Sequence, residues 1–125
     1  MKKAILYTVL FLIGQVTLGQ STPIGIDTTV ITNIGGISQV IKLKCKDISK
    51  PILLYLHGAG GNNFSLIANA DKLTSKLQEH FVVALWDQRD YGKTFEINKS
   101  PKPLTVKLIV DDTKETIDYL LKKFD

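Results

Sequence analysis

PILLYLHGAGGNN, residues 51–63, is the stretch whose reading decides the fold. Five apolar residues, Ile52 to Leu56, end at His57 and give way to Gly58, Ala59, Gly60, Gly61, Asn62 and Asn63. An unbroken apolar run behind a proline predicts a strand buried on both faces. Glycines after it let backbone come close to whatever lies at the strand's carboxyl end, because no Cβ stands in the way. Open α/β sheets bind their ligands at those ends. The loop 57–63 is therefore the first candidate site.

Working outward, residues 20–27 read as an irregular lead-in. Thr28–Ile34 and Ile37–Lys46 are rich in β-branched residues, and Gly35-Gly36 between them is a two-residue hairpin signal. In the second arm Ile37, Gln39, Ile41, Leu43 and Cys45 share one face, while Ser38, Val40, Lys42, Lys44 and Lys46 share the other. That alternation predicts a half-buried antiparallel edge. A turn through Asp47, Ser49, Lys50 and Pro51 leads into the apolar run. Downstream, Phe64, Ile67, Ala68, Ala70, Leu73 and Leu77 have the spacing of an amphipathic helix, with Asn63 as its cap. Phe81–Trp86 (FVVALW) reads as a second buried strand, joined to the first by a right-handed crossover. Residues 87–103 read as a long polar loop. Thr105 can cap a final helix whose stripe is Val106, Ile109, Ile117, Leu120, Leu121 and Phe124. The expected class is α/β: an antiparallel hairpin followed by β-loop-α-β-loop-α.

The first nineteen residues stand apart. Lys2 and Lys3 precede an apolar run, Ala4–Ile13, and Thr17 and Gly19 are small residues before Gln20. This is the layout of an export signal cleaved near Gly19-Gln20, and the run is shorter than the ~20 residues a spanning helix needs. The expected organisation is a signal peptide at 1–19 and one α/β domain portion at 20–125. Removing residues 1–19 takes away two of the 16 bases and none of the 12 acids, so the net charge falls from +4 to +2. So small an excess does not call for nucleic acid, or for a membrane beyond the export signal. Hydrophobic content of 44% suits a globular chain. One cysteine, Cys45, allows neither an internal disulfide nor a cysteine metal framework, and its place in an alternating strand predicts a small buried side chain. His80, between the helix and the second strand, reads as a surface or turn residue. No metal and no cofactor is expected.

Three segments together resemble the opening third of an α/β-hydrolase, and more narrowly the proline iminopeptidase-like branch of serine hydrolases. LYLHGAGGN is similar to that family's loop after its third strand. FVVALWDQRDYGKT resembles the segment after its fourth strand, and PLTVKLIVDDTKETIDYLL the helix before its nucleophile, with Asp112 where the family has an acid. The resemblance covers roughly residues 37–124. It implies that the N–H of Ala59 is an oxyanion donor, with Gly58, Gly60 and Gly61 shaping the loop. It also implies that His57, Asp87 and Arg89 brace the loops, that the second oxyanion N–H follows the nucleophile, and that the substrate is a small molecule or peptide. The family's Gly-Pro is Ala59-Gly60 here.

No G-x-S-x-G occurs in the sequence, so no catalytic triad residue is expected within it. The resemblance implies the N-terminal portion of a hydrolase acting through an acyl-enzyme. An alternative is a non-catalytic secreted α/β domain that binds a partner. Such a domain would leave an apolar sheet edge and helix face uncovered. A third reading takes Gly58-Ala59-Gly60 as the start of a dinucleotide fingerprint with Asp87 as its ribose acid, although Asn63 stands at the sixth position.

Overall fold

The computed structural model describes residues 22–58, 71 and 74–125. The expected export signal, the loop residues Ala59, Gly60 and Gly61, and all but a few residues of the expected helix over 64–77 lie outside the described residues, as does its Asn63 cap.

Gly35 and Gly36 have φ of +60° and +82°, the left-handed pair that a tight two-residue hairpin turn requires. They join β1 (Ile26–Ile34) to β2 (Ile37–Cys45) in an antiparallel register that sets Val30 opposite Ile41. β2 also pairs antiparallel with β4 (Val82–Asp87), Ile41 facing Trp86. β4 in turn lies parallel to β3 (Ile52–Tyr55). The strand order is β1-β2-β4-β3. A single 3-10 turn at Leu77–Glu79 precedes β4, and two helices follow it, α1 (Gly92–Ile97) and α2 (Val106–Phe124). The result is a mixed α/β fold.

This order corrects two expectations. The apolar run at 52–56 is not the strand buried on both faces: among the described residues β3 lies at the sheet edge with one neighbour, and Tyr55 and Leu56 are 44% and 50% exposed. β4 fills that role and is buried along its whole length. Nor is β2 an edge. It has a strand on either side, and Val40 and Lys44 on its second face are buried. Lys44 tolerates burial because register sets it opposite Asp27, with which it pairs at 2.9 Å; it also reaches Asp71.

The core follows the two-residue period of the strands. On one face Ile34, Ile41, Leu43, Ala84 and Trp86 pack with Leu120 of α2. On the other, Val83 and Leu85 meet Leu77 and Phe81. Cys45 is buried and unoxidised.

The segment 87–103 is not wholly a loop, since it contains α1. That helix is short, starts at a glycine and has no apolar period, so periodicity could not reveal it. Helix α2 forms as its capping residue predicts, with Thr105 Oγ1 accepting the Leu108 N–H at 3.1 Å. Its inward face differs from the expected stripe. Asp112, Thr116 and Leu120 are buried, Ile109 and Phe124 are half-buried, and Val106, Ile117 and Leu121 are exposed among the described residues. Asp112 faces inward to pair with Arg89, whose burial without a counter-charge would cost about 3–5 kcal/mol. Ile117 and Leu121 nevertheless line an apolar hollow together with Leu120 and with Ile52 and Leu54 of β3, so this part of the expected stripe is turned toward the sheet.

Candidate functional site

The parallel register of β3 with β4 sets Tyr55 beside Leu85. Two residues further on, His57 and Asp87 leave their strands at the same level. In this way the two motif segments, remote in sequence, meet at one end of the sheet.

His57 is held on several sides. Its Nε2 accepts the Gln88 N–H at 3.3 Å, and its Nδ1 lies 2.9 Å from the Gly58 carbonyl oxygen. One neutral tautomer, with the proton on Nδ1, satisfies both contacts. Gln88 Nε2 also donates to the His57 carbonyl at 3.2 Å. The Tyr91 ring stands edge-on to the imidazole, centroids 4.8 Å apart. A ring engaged at both nitrogens is built as an anchor rather than as a proton-abstracting base. Gly58 is exposed, and a Cβ on it would meet nothing within 4 Å among the described residues.

Asp87 is buried and caps α1 from a distance. Its Oδ2 accepts the Lys93 N–H at 2.8 Å, and its carbonyl accepts the Thr94 hydroxyl. Thr94 Oγ1 in turn accepts the Val40 N–H at 2.9 Å, tying α1 to β2. Committed to this capping bond, the carboxylate is poorly placed to bind a ribose, and this speaks against the dinucleotide reading.

Arg89 is completely buried and binds three other segments. Its Nε and one terminal nitrogen make a bidentate pair with Asp112 at 2.8 and 3.0 Å. The same terminal nitrogen donates to the Gly35 carbonyl at 2.9 Å, and the other donates to Ser100 Oγ at 3.1 Å. Gln39 Nε2 donates to Asp112 Oδ2 at 2.8 Å and to the Ile34 carbonyl at 3.1 Å, while its Oε1 accepts from Trp86 Nε1 at 2.9 Å. The Gly35 N–H donates to Glu115 at 2.7 Å. Asp90, with φ of +62°, accepts the Ser100 N–H at 2.9 Å. Every buried side-chain polar atom among the described residues has a partner. Such a network specifies one arrangement, because each member left unpaired would be costly.

The structure therefore brings His57, Gly58, Asp87 and Arg89 to one sheet end, while Ala59, Gly60 and Gly61 lie outside the described residues. Sequence reading placed Gln88 with Asp87 and Arg89 at one sheet edge but did not pair it with His57, nor Gln39 with Asp112. A signal existed for the latter: both are polar residues interrupting apolar faces.

The chain is 29% identical over 92 residues to the probable aminopeptidase YbaC of Bacillus subtilis (strain 168). The matched stretch is 74% of this chain and 28% of that protein, so the chain spans less than a third of the relative's length. No family model and no solved structure matches. The similarity suggests a peptidase-like relationship.

Proposed function

We propose that residues 20–125 are the opening portion of a serine hydrolase of the α/β-hydrolase fold, exported after cleavage near Gly19-Gln20. The complete enzyme cleaves an ester or amide through an acyl-enzyme. An N-terminal peptide bond is the substrate class favoured by similarity to an aminopeptidase. The nucleophile, acid and base belong to sequence beyond Asp125.

The observation that carries this reading is the meeting of His57-Gly58 with Asp87-Gln88-Arg89 at the carboxyl ends of two parallel strands. In this role the N–H of Ala59 faces the developing oxyanion, with Gly58, Gly60 and Gly61 leaving room for the reacting carbonyl. Donors fixed before the reaction stabilise charge without reorganising as it forms. His57, Asp87 and Arg89 hold the surrounding backbone still. Their rigid hydrogen bonding supports that division of labour.

The test uses the full-length protein made from its native gene. A fluorophosphonate should label one serine downstream of residue 125, located by mass spectrometry of the peptide, and the secreted form should begin at Gln20. A folded full-length protein that takes up no label would overturn the hydrolase reading.

A further inference from the structure

We infer that the outer edge of β1 is an interface between two copies of this chain, which join edge to edge as antiparallel strands of one continuous sheet. The inference stands apart from the hydrolase reading, since β1 lies upstream of the segments that carry the resemblance. Ile34 and Ile37 flank the two-residue turn, so they are the pair that exchanges both ladder bonds. Counting back in twos, Ile34, Thr32, Val30, Thr28 and Ile26 turn their N–H and C=O groups toward β2. Asp27, Thr29, Ile31 and Asn33 turn theirs outward. Val40 fixes the phase independently: its register partner is Ile31, yet its N–H donates away from β1, to Thr94 Oγ1. Among the described residues no strand lies beyond β1. Residues 22–25 do not cover the edge, because the Ile24 carbonyl accepts the Ile48 N–H past the end of β2.

An open edge is ordinarily defended by shortness, a bulge, a proline or a lysine. β1 has none of these. It runs nine residues, pairs with β2 without a bulge, and its sequence IDTTVITNI contains neither proline nor base. Its one charge, Asp27, is paired with Lys42 and Lys44. Ile31 is 61% exposed on this undefended strand. The strand is also complementary to itself. An antiparallel register with Val30 on the two-fold axis, opposite its own copy, matches all four outward residues. Asp27 then meets Asn33 of the other copy, and Thr29 meets Ile31. Moving the axis to Thr29 or Ile31 matches only three. In the full register no like charges face each other, and each Asp27 carboxylate lies opposite an Asn33 amide able to donate to it. The two-fold pairing uses up both edges and closes, so it gives a dimer and not a fibre. One strand per copy is a small interface, and the expected Kd is on the order of 10 μM.

Sedimentation of the full-length protein across that concentration should show a reversible monomer–dimer equilibrium. Thr29→Pro removes one outward N–H and sets its ring there, while the β1–β2 ladder stays whole. Symmetry counts each loss twice, so Kd should rise at least ~10-fold, with little change in the urea midpoint of the monomer. If Thr29→Pro does not fold, Ile31→Lys is read by the same threshold, since it sets two ammonium groups on diagonal positions across the axis. Single cysteines under oxidised glutathione read the register. Val30→Cys should form a disulfide between copies, whereas Thr28→Cys and Thr32→Cys, each opposite the other's position, should not. The wild type, whose Cys45 is buried, is the blank. A wild type that stays monomeric up to about 1 mM, a Kd indifferent to the edge variants, or no cross-link at position 30 overturns the inference. Fluorophosphonate labelling reads the hydrolase assignment separately, so neither result bears on it.

Discussion

Replacing Asp112 by asparagine tests the arrangement of the whole network. The side chain keeps its volume but loses its charge and turns one of its two oxygens into a donor. In the structure Asp112 Oδ2 accepts from Arg89 Nε and Gln39 Nε2, and Oδ1 accepts from an Arg89 terminal nitrogen. If the remaining oxygen of Asn takes the Oδ2 place, its NH2 faces a guanidinium N–H; if it takes the Oδ1 place, its NH2 faces two donors. Either way at least one charge-assisted bond, worth ~1.5–3 kcal/mol, is lost. Arg89 also stays buried without a counter-charge, so the total should be about 3–5 kcal/mol. Because m grows with the surface exposed on unfolding, a full-length protein with a urea m-value of about 4 kcal/mol/M should lose about 1 M from its unfolding midpoint. The assay is equilibrium denaturation followed by far-UV circular dichroism. A companion cycle uses Arg89→Met, Asp112→Leu and the double variant Arg89→Met/Asp112→Leu, whose cost should fall at least ~2 kcal/mol below the sum of those two singles. A loss under about 1 kcal/mol for Asp112→Asn would refute the reasoning. It would mean that Arg89 finds other compensation.

The remaining predictions concern stability in the same denaturation assay. Gly35→Ala should cost more than about 3 kcal/mol, because a Cβ there collides with the Asp112 carboxylate and the Arg89 guanidinium on top of the left-handed backbone. Gly36→Ala, equally left-handed but facing open space, should cost only about 1–2 kcal/mol; equal losses would contradict the packing at Gly35. Thr105→Ala should cost about 1 kcal/mol through the lost cap, and Thr105→Ser should restore most of it. Lys42 and then Lys44 hold the Asp27 carboxyl at about 2, below its ordinary 3.8. A depressed folded-state value means that its stabilisation is present above about pH 3.8 and is lost as pH falls towards 2. Asp27→Asn should therefore flatten this part of the acid limb, and an unchanged slope would exclude the Lys42 and Lys44 pairing.

Elements with a local cause were legible in the sequence. The glycine pair announced the hairpin, β-branched density announced β4, and Thr105 with the periodic residues after it announced α2. What was not legible depends on residues far apart in the chain. Whether an apolar run is central or peripheral follows from which strands pair with it, and the alternation in β2 looks the same whether its second face meets water or Asp27 and Asp71. The inward turn of Asp112 on α2 was not legible because apolar periodicity contains no term for a buried guanidinium 23 residues away. At the candidate site, motif residues could be named from sequence, but the bonds joining Gln88 to His57 appear only once β3 and β4 lie side by side in register.

The bond between Trp86 and Gln39 has a kinetic consequence. The β1–β2 hairpin closes through two residues and should form in about 1–10 μs. The parallel β3–β4 pair must first close a long crossover, which is slower. Trp86, the one tryptophan in the sequence, lies on β4, with its indole N–H on a residue of the hairpin. Closure of the hairpin alone therefore leaves its emission unchanged, and the emission shifts once Trp86 is packed in the cluster with Ile34, Leu43 and Leu120.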